Sequence, residues 1–477
     1  MTYEQNMPSL LTRLLSFFTV NKMLKPEKRL GDVPSTKKAY ENFFKVAWPS
    51  AIEALLVGLV GSVDTMMVGS LGEGAIAAVG ITNQPKYIIL AVIFSLNVGV
   101  TAVVARRKGA GNRDLANHTL RVAILLSFMM SLITCSIGYI FAEEILIFAG
   151  AEDVYLHDAI NYFRILTISL VFTALNLTIN AAQRGCGKTK ISMVTNVVAN
   201  VINLIFNFFL INGIGIFPRL EVKGAAIATA IGAFAACIVS LISLSRKNAY
   251  LNLRFKTSWK INKTIIEPIF KVSGSAFIEQ VFMRIGFLAY AIIVAKLGTT
   301  AYATHLICMN ILNISFCFGD GFGIAASSLV GQNLGARRPD ISTLYGKIGQ
   351  RLAFIVSTVL VFVFILGRYF FVSLFSDIPA VITLGASIMI IMALSTHAQT
   401  SQVVISGCLR GAGDSVFVAV TSLISIAIIR PILTYLLCFP LGLGLAGAWI
   451  SLLIDQVFRF ITSYYRFHSG KWAKIVL

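Results

Sequence analysis

With 477 residues, 57% of them hydrophobic and only 13% charged, the chain has a mean hydropathy of +0.81, far above that of an ordinary soluble domain. At about 20 apolar residues per crossing of a roughly 30 Å hydrocarbon core, its apolar stretches supply a dozen spans and exclude a large water-exposed catalytic domain. The formal charge of +19 sits largely in short basic segments between apolar runs, the pattern that orients membrane helices, so it does not argue for nucleic acid.

Residues 1–45 carry eight Lys or Arg and lack the apolar core and small-residue cleavage site of a secretory leader. They read as a basic cytoplasmic segment, in which Ser9 to Val20 makes either a short helix on the inner leaflet or a disordered tail. Apolar runs then fall at about 46–70, 77–105, 119–142, 158–183, 191–213, 222–245, 266–296, 302–331, 350–373, 379–407, 416–438 and 443–465. The class that follows is all-α and integral to the membrane, with twelve transmembrane helices. Even-numbered connections hold Arg106, Arg107, Lys108, Arg184, Lys188, Arg337, Arg338 and Arg410, whereas the third holds Glu143, Glu144, Glu152 and Asp153. Both termini are therefore predicted to be cytoplasmic, in a multi-pass plasma-membrane protein.

The sequence repeats itself. A shift of 226 residues lays Ile52-Glu53 on Ile278-Glu279, Leu71-Gly72 on Leu297-Gly298, Gly109-Ala110 on Gly335-Ala336, and Arg184-Gly185-x-Gly187 on Arg410-Gly411-x-Gly413. Two six-helix lobes follow, 46–248 and 265–477, joined by a basic cytoplasmic linker at 249–264. An even number of spans per half makes the repeats parallel, with a cavity expected between them.

An ionised carboxylate at mid-span costs roughly 2.5–3.5 kcal/mol on insertion scales, so each one needs a partner or water. The candidates are Glu53, Asp64, Glu279, Asp320 and Asp455. Asp455 has Arg459 one turn on and reads as a local ion pair. Glu53 and Asp64 are eleven residues apart, almost three whole turns, and share one face of helix 1. Helix 5 carries Asn196, Asn200, Asn203 and Asn207 at i, i+4, i+7 and i+11, a stripe that serves either helix–helix hydrogen bonding or a hydrated pocket around Asp64 with Asn180. Its repeat positions are Ser422, Ile426, Ile429 and Leu433, and Tyr290 is the repeat partner of Asp64. The acid-and-amide pocket thus belongs to the first lobe alone. Glu279 is either neutralised by a basic side chain such as Arg284 or free to meet a cation, and Asp320 lies among Gly319, Gly321 and Gly323.

Arg184-Gly185-x-Gly187 and its repeat read as helix C-terminal caps. The seven cysteines are scattered singly and read as core packers. No metal-ligand spacing among the histidines and no nucleophile motif is present.

Val63-Asp64-Thr65 with Met67-Val68-Gly69, the Leu71-Gly72 and Ala75 after it, Gly331-Gln332-x-Leu334-Gly335-Ala336, and the paired Arg-Gly-x-Gly turns together resemble the multidrug and toxic compound extrusion (MATE) family over about 45–465. The resemblance is nearest to the NorM-like branch, whose helix-7 glutamate Glu279 matches; the branch's helix-10 acid is missing from His397-Ala398-Gln399-Thr400-Ser401-Gln402. It implies a secondary exporter of organic cations, driven by inward Na⁺ or H⁺ through alternating access of its lobes. The family's helix-1 aspartate matches Asp64, its helix-5 pair matches Asn203 and Asn207, and its helix-6 threonine matches Thr229. The resulting expectation is a monomeric antiporter without a cofactor or resident metal beyond a coupling Na⁺. Its partners are small organic cations and membrane lipid. Asp64, Asn180, Asn203, Asn207 and Thr229 would take the coupling ion; Glu279, Glu53, Tyr290 and Asp320 would hold cargo. The alternative is a flippase for lipid-linked saccharides, whose anionic headgroup would need intramembrane cations such as Lys86, Arg164, Arg284 and Arg430.

Overall fold

The computed structural model describes residues 16–246, 249–253 and 259–475, apart from the side chains of Ser62 and Thr65. Among these, twelve helices are long and apolar enough to cross a membrane. They are α1 (Thr36–Gly69), α2 (Glu73–Gly109), α3 (Arg113–Ile140), α4 (Asp153–Gly185), α5 (Thr189–Asn212), α6 (Glu221–Leu244), α7 (Lys263–Ala295), α8 (Thr299–Gly335), α9 (Pro339–Leu366), α10 (Pro379–Gly411), α11 (Ser415–Cys438) and α12 (Gly444–His468). Short helices at Ala142–Phe148 and Arg368–Ser373 occupy the same place in each half.

Local chemistry sets the ends of these helices. Ser35 caps α1 by accepting from the Lys38 backbone N–H, and Asn112 caps α3 by accepting from that of Leu115. Gly72 and Gly298, one repeat apart, turn the chain with φ of 110° and 101°, a conformation glycine adopts without steric cost.

Buried clusters fill both lobes, and two of them bridge the lobes, Phe43 and Ala47 of α1 packing with Ile348, and Ile269 of α7 with Leu120. Leu120, Ile179 and Phe163 are among the anchors in the first, Trp449, Met389 and Ile348 in the second. All seven cysteines are free and buried. Small residues decide how closely α5 and α6 approach: a Cβ on Gly224 would stand 2.6 Å from the Leu210 carbonyl oxygen, and one on Gly232 2.7 Å from that of Ala199. Close backbone approach of this kind is how helices associate without a hydrophobic drive, and it brings Thr229 of α6 to Asn203 of α5.

The lobes meet at the end of the bundle that also holds residues 16–34 and Ile475. Gln332 of α8 donates to the Gly185 carbonyl at 2.8 Å, while Arg106 of α2 donates to those of Ala412 and Ile475 at 3.0 and 2.8 Å. Residues 16–34 lie across the second lobe and not away from it. Val20 and Met23 are buried with Phe43 and Tyr345, Lys347 donates to the Met23 carbonyl at 2.8 Å, and the Leu30 N–H donates to Asp340 at 3.1 Å. Of the stretch Ser9 to Val20, expected as an inner-leaflet helix or a disordered tail, Val20 is buried against protein and Phe17 is exposed; residues 9–15 lie outside the described residues.

Candidate functional site

Helices α1 and α5 run parallel, so a fixed offset pairs their polar residues. Asn196 donates to Glu53 at 2.5 Å, and eleven residues further along both helices Asn207 donates to Asp64 at 2.7 Å. The amide stripe is therefore a ladder with a carboxylate at each end. Asn203 joins it. In the amide orientation that satisfies both ends of its side chain, it donates to the two Asp64 oxygens at 2.8 and 3.2 Å and accepts from Thr229.

Asp64 is half-buried and lines a cavity of about 190 Å³ with Asn176, Asn196, Asn200, Asn203 and Thr229. Among the described residues no Lys or Arg stands within ion-pair distance of it. The nearby Lys86 ammonium is held by Asn83 at 2.9 Å. Asn180 belongs to the next layer: it is buried and donates to Asn176 at 3.1 Å and to Thr195 at 2.8 Å. The acceptor oxygens of Asn180 and Asn207 are buried with no hydrogen-bond partner. A carboxylate beside an unpaired buried carbonyl oxygen suits either a small hard cation or a proton on the carboxylate itself.

Glu53 and Glu279 depart from the expectation that they face cargo. Glu279 is buried, accepts from Arg410 at 2.6 Å, and accepts from Ser422 at 3.1 Å. Glu53 accepts from Arg184 at 3.5 Å, from Ser192 at 2.8 Å and from Asn196. These are one arrangement repeated after 226 residues, in which the arginine of the Arg-Gly-x-Gly turn reaches back to the acid of the lobe's first helix. Burying either carboxylate requires that partner. The glycines keep their capping part, with Gly187 and Gly413 at φ of 71° and 86°. Sequence reasoning treated acid and arginine separately, although both carried the same offset.

Tyr290 also departs from its expected place, being 2% exposed with its hydroxyl donating to the Ala448 carbonyl at 3.1 Å inside the second lobe. Asp455 pairs with Arg459 at 3.2 Å, as its i+4 spacing predicts, but its closest cation is Arg430, with Ser425 also bonded to it. The residues Leu423–Ile429 just before Arg430 form a π-helical stretch, the rare geometry that redirects side chains within a helix. Asp320 alone among the expected cargo residues is exposed and unpaired within the described residues. Asn176 and Thr173 of α4 line the Asp64 cavity and went unnoticed in the sequence; the Asn176/Asn180 pair at i, i+4 was the available signal.

The architecture is thus that of a two-lobe membrane transporter with an acid-and-amide cavity in its first lobe. The family model described as MatE matches twice, over residues 49–209 and 275–436, one repeat apart, and the chain belongs to that family. Among its relatives, the uncharacterized transporter YisQ of Bacillus subtilis is 26% identical over 91% of this chain and 95% of its own length. The probable multidrug resistance protein NorM of Thermotoga maritima is 26% identical over 93% and 94%. Among solved structures, a multidrug resistance MATE transporter in an outward-facing conformation superimposes with a TM-score of 0.83 at 19% identity, covering 91% of this chain and 97% of that one. A MOP-superfamily transporter from Pyrococcus furiosus gives 0.85 at 19%, covering 92% and 97%. These neighbours share the two-lobe twelve-helix fold, and several of the relatives are named for multidrug resistance.

Proposed function

We propose that the protein is an antiporter of the cell membrane that couples inward movement of Na⁺ or H⁺ at Asp64 to export of organic cations, its two lobes exposing a central path to each side in turn. The observation that carries this is the contrast among intramembrane carboxylates. Glu53, Glu279 and Asp455 are each neutralised by arginine, whereas Asp64 is ringed by amides and open to a cavity. An amide shell supports the ionised state without fixing it, which leaves the site able to gain and lose a cation during a cycle. Na⁺ would be held by Asp64 with the free Asn207 oxygen; a proton would sit on the Asp64 carboxyl. Asp320 is the remaining acid for cationic cargo.

The basic end, where the lobes are joined, is the cytoplasmic one on this reading, because it carries Arg106, Arg107, Lys108, Arg184, Arg337 and Arg338. The conformation described here is then closed to the cytoplasm. The saccharide-flippase alternative loses support, since Arg430 is spent on Asp455 and Arg164 stacks on Tyr139. Lys86 and Arg284 share the ring of Tyr87 at 5.1 and 5.0 Å. Sealed vesicles carrying the purified protein, given a Na⁺ gradient or a pH gradient separately, test the proposal. Dye movement driven by one of them identifies the coupling ion, and movement driven by neither contradicts coupling.

A further inference from the structure

A second cavity is larger than the one at Asp64. It has a volume of about 700 Å³ and lies on the flank of the second lobe, between α9, α10, α12 and the segment at Phe17 and Phe18. No part of the first lobe contributes to its lining, so it is distinct from any path between the lobes.

Its chemistry is graded along the membrane normal. At one end stand Lys347, Arg351 and His468, where the apolar runs of α9 and α12 stop. From there the walls become mainly apolar, through Phe354, Val457 and Ile461 to Leu394, with Ser401 and His397 on the α10 side and the His397 ring stacked on Phe354 and hydrogen-bonded to Ser357. Val457 is eleven residues before His468 on α12, about 16 Å at the helical rise, which matches the depth of one leaflet of a roughly 30 Å core. No carboxylate lines the cavity and no ion pair neutralises Lys347 or Arg351 among the described residues. Each is held in place by residues 16–34 instead, through the Met23 and Phe17 carbonyls and the Phe17 ring. A guanidinium with five donors and an ammonium with three keep spare bonds after those contacts.

Two basic side chains above a mainly apolar slot one leaflet deep suit an amphiphile with an anionic head. We infer that this cavity binds an anionic phospholipid of the cytoplasmic leaflet. Its phosphate would lie between Lys347 and Arg351, and an acyl chain would lie along Phe354, Val457 and Leu394. Cationic cargo is repelled by the same two groups, and a zwitterionic lipid gains less from them. The inference uses the orientation given above to name the leaflet, and it does not depend on coupled transport.

Native mass spectrometry of the full chain, delipidated and then titrated with phosphatidylglycerol or phosphatidylcholine, tests it. The expected result is one tightly retained phosphatidylglycerol, with retention falling about fivefold for each cation removed by Lys347→Gln and Arg351→Gln. Leu394→Trp keeps both charges on an exposed lipid-facing position and should also lower retention by filling the slot. Equal retention of the two lipids by the wild type, or phosphatidylglycerol retention unmoved by all three variants, would overturn the assignment. Displacement of the bound lipid by an organic cation such as ethidium would overturn it too, making the cavity a cargo site. Because retention is read without a gradient, failure here is separable from failure of the exporter reading.

Discussion

Gly109 at the end of α2 and Gly335 at the end of α8 mark a reciprocal crossing, each packed so closely on the backbone beside the other that neither has room for a side chain. A Cβ on Gly109 would collide with the Gln332 carbonyl and stand 3.0 Å from the Ala336 nitrogen. One on Gly335 would collide with the Arg106 carbonyl and stand 3.0 Å from the Ala110 nitrogen. The pair sits on the symmetry relation of the two lobes and joins them at the basic end. Opening that end requires this crossing to part.

Gly109→Val should therefore leave each lobe intact while weakening the joint between them. Cysteines introduced near the crossing should become more reactive towards a membrane-impermeant thiol reagent than in the wild-type background, by severalfold. Unchanged reactivity in a stable variant would mean the crossing is not the closure.

The Glu279–Arg410 pair is predicted to act in stability before cargo recognition. Breaking a buried ion pair from one side costs about 3–5 kcal/mol, so Glu279→Gln should lower the thermal midpoint clearly, and the double change Glu279→Gln with Arg410→Gln should recover part of the loss. Permanently charged and neutral dyes of similar size should lose affinity equally in Glu279→Gln. Selective loss of the charged dye, with stability unmoved, would return Glu279 to the cargo path.

Asp320 gives the opposite expectation. With no ion pair of its own among the described residues, its carboxylate is available to a cation, and a charge-assisted contact is worth about 1.5–3 kcal/mol. Asp320→Asn should weaken a permanently charged dye about tenfold or more and leave a neutral analogue within twofold, as read by equilibrium binding.

The lobes should also respond unequally to matched changes. Asn203→Leu removes the donor to Asp64 and the acceptor for Thr229, whereas Ile429→Val at the repeat position trims one methyl group. The first should weaken gradient-driven transport about tenfold or more, and the second should stay within twofold. Equal damage would assign the stripe to packing.

Much of this architecture was legible because its causes are local. Apolar run length gives the spans, the 226-residue offset gives the two lobes, and the stripe of amides at helical spacing brings Asn207 to Asp64, while its other end proves to meet Glu53 through Asn196. What stayed hidden depends on tertiary approach. Nothing in the spacing of Arg410 tells that it reaches a carboxylate 131 residues earlier. Of the two readings open for Glu279, neutralised or free, that one contact selects the first, with Arg410 as the partner in place of Arg284. Arg430 likewise looked available for an anion, because the π-helical stretch that delivers it to Asp455 has no sequence period of its own. The docking of Val20 and Met23 on the second lobe was obscured by the basic residues around them, which outweigh two buried side chains in any hydropathy window.

The central claim is that Asp64 carries the coupling ion. An asparagine preserves shape and hydrogen bonding to Asn203 and Asn207 but neither titrates nor neutralises a bound cation. The most direct measurement is gradient-driven uptake of a cationic dye into sealed vesicles by Asp64→Asn, beside wild type at matched incorporation. The account predicts a folded variant that still binds dye and shows no accumulation above the equilibrium level; accumulation equal to wild type would contradict it.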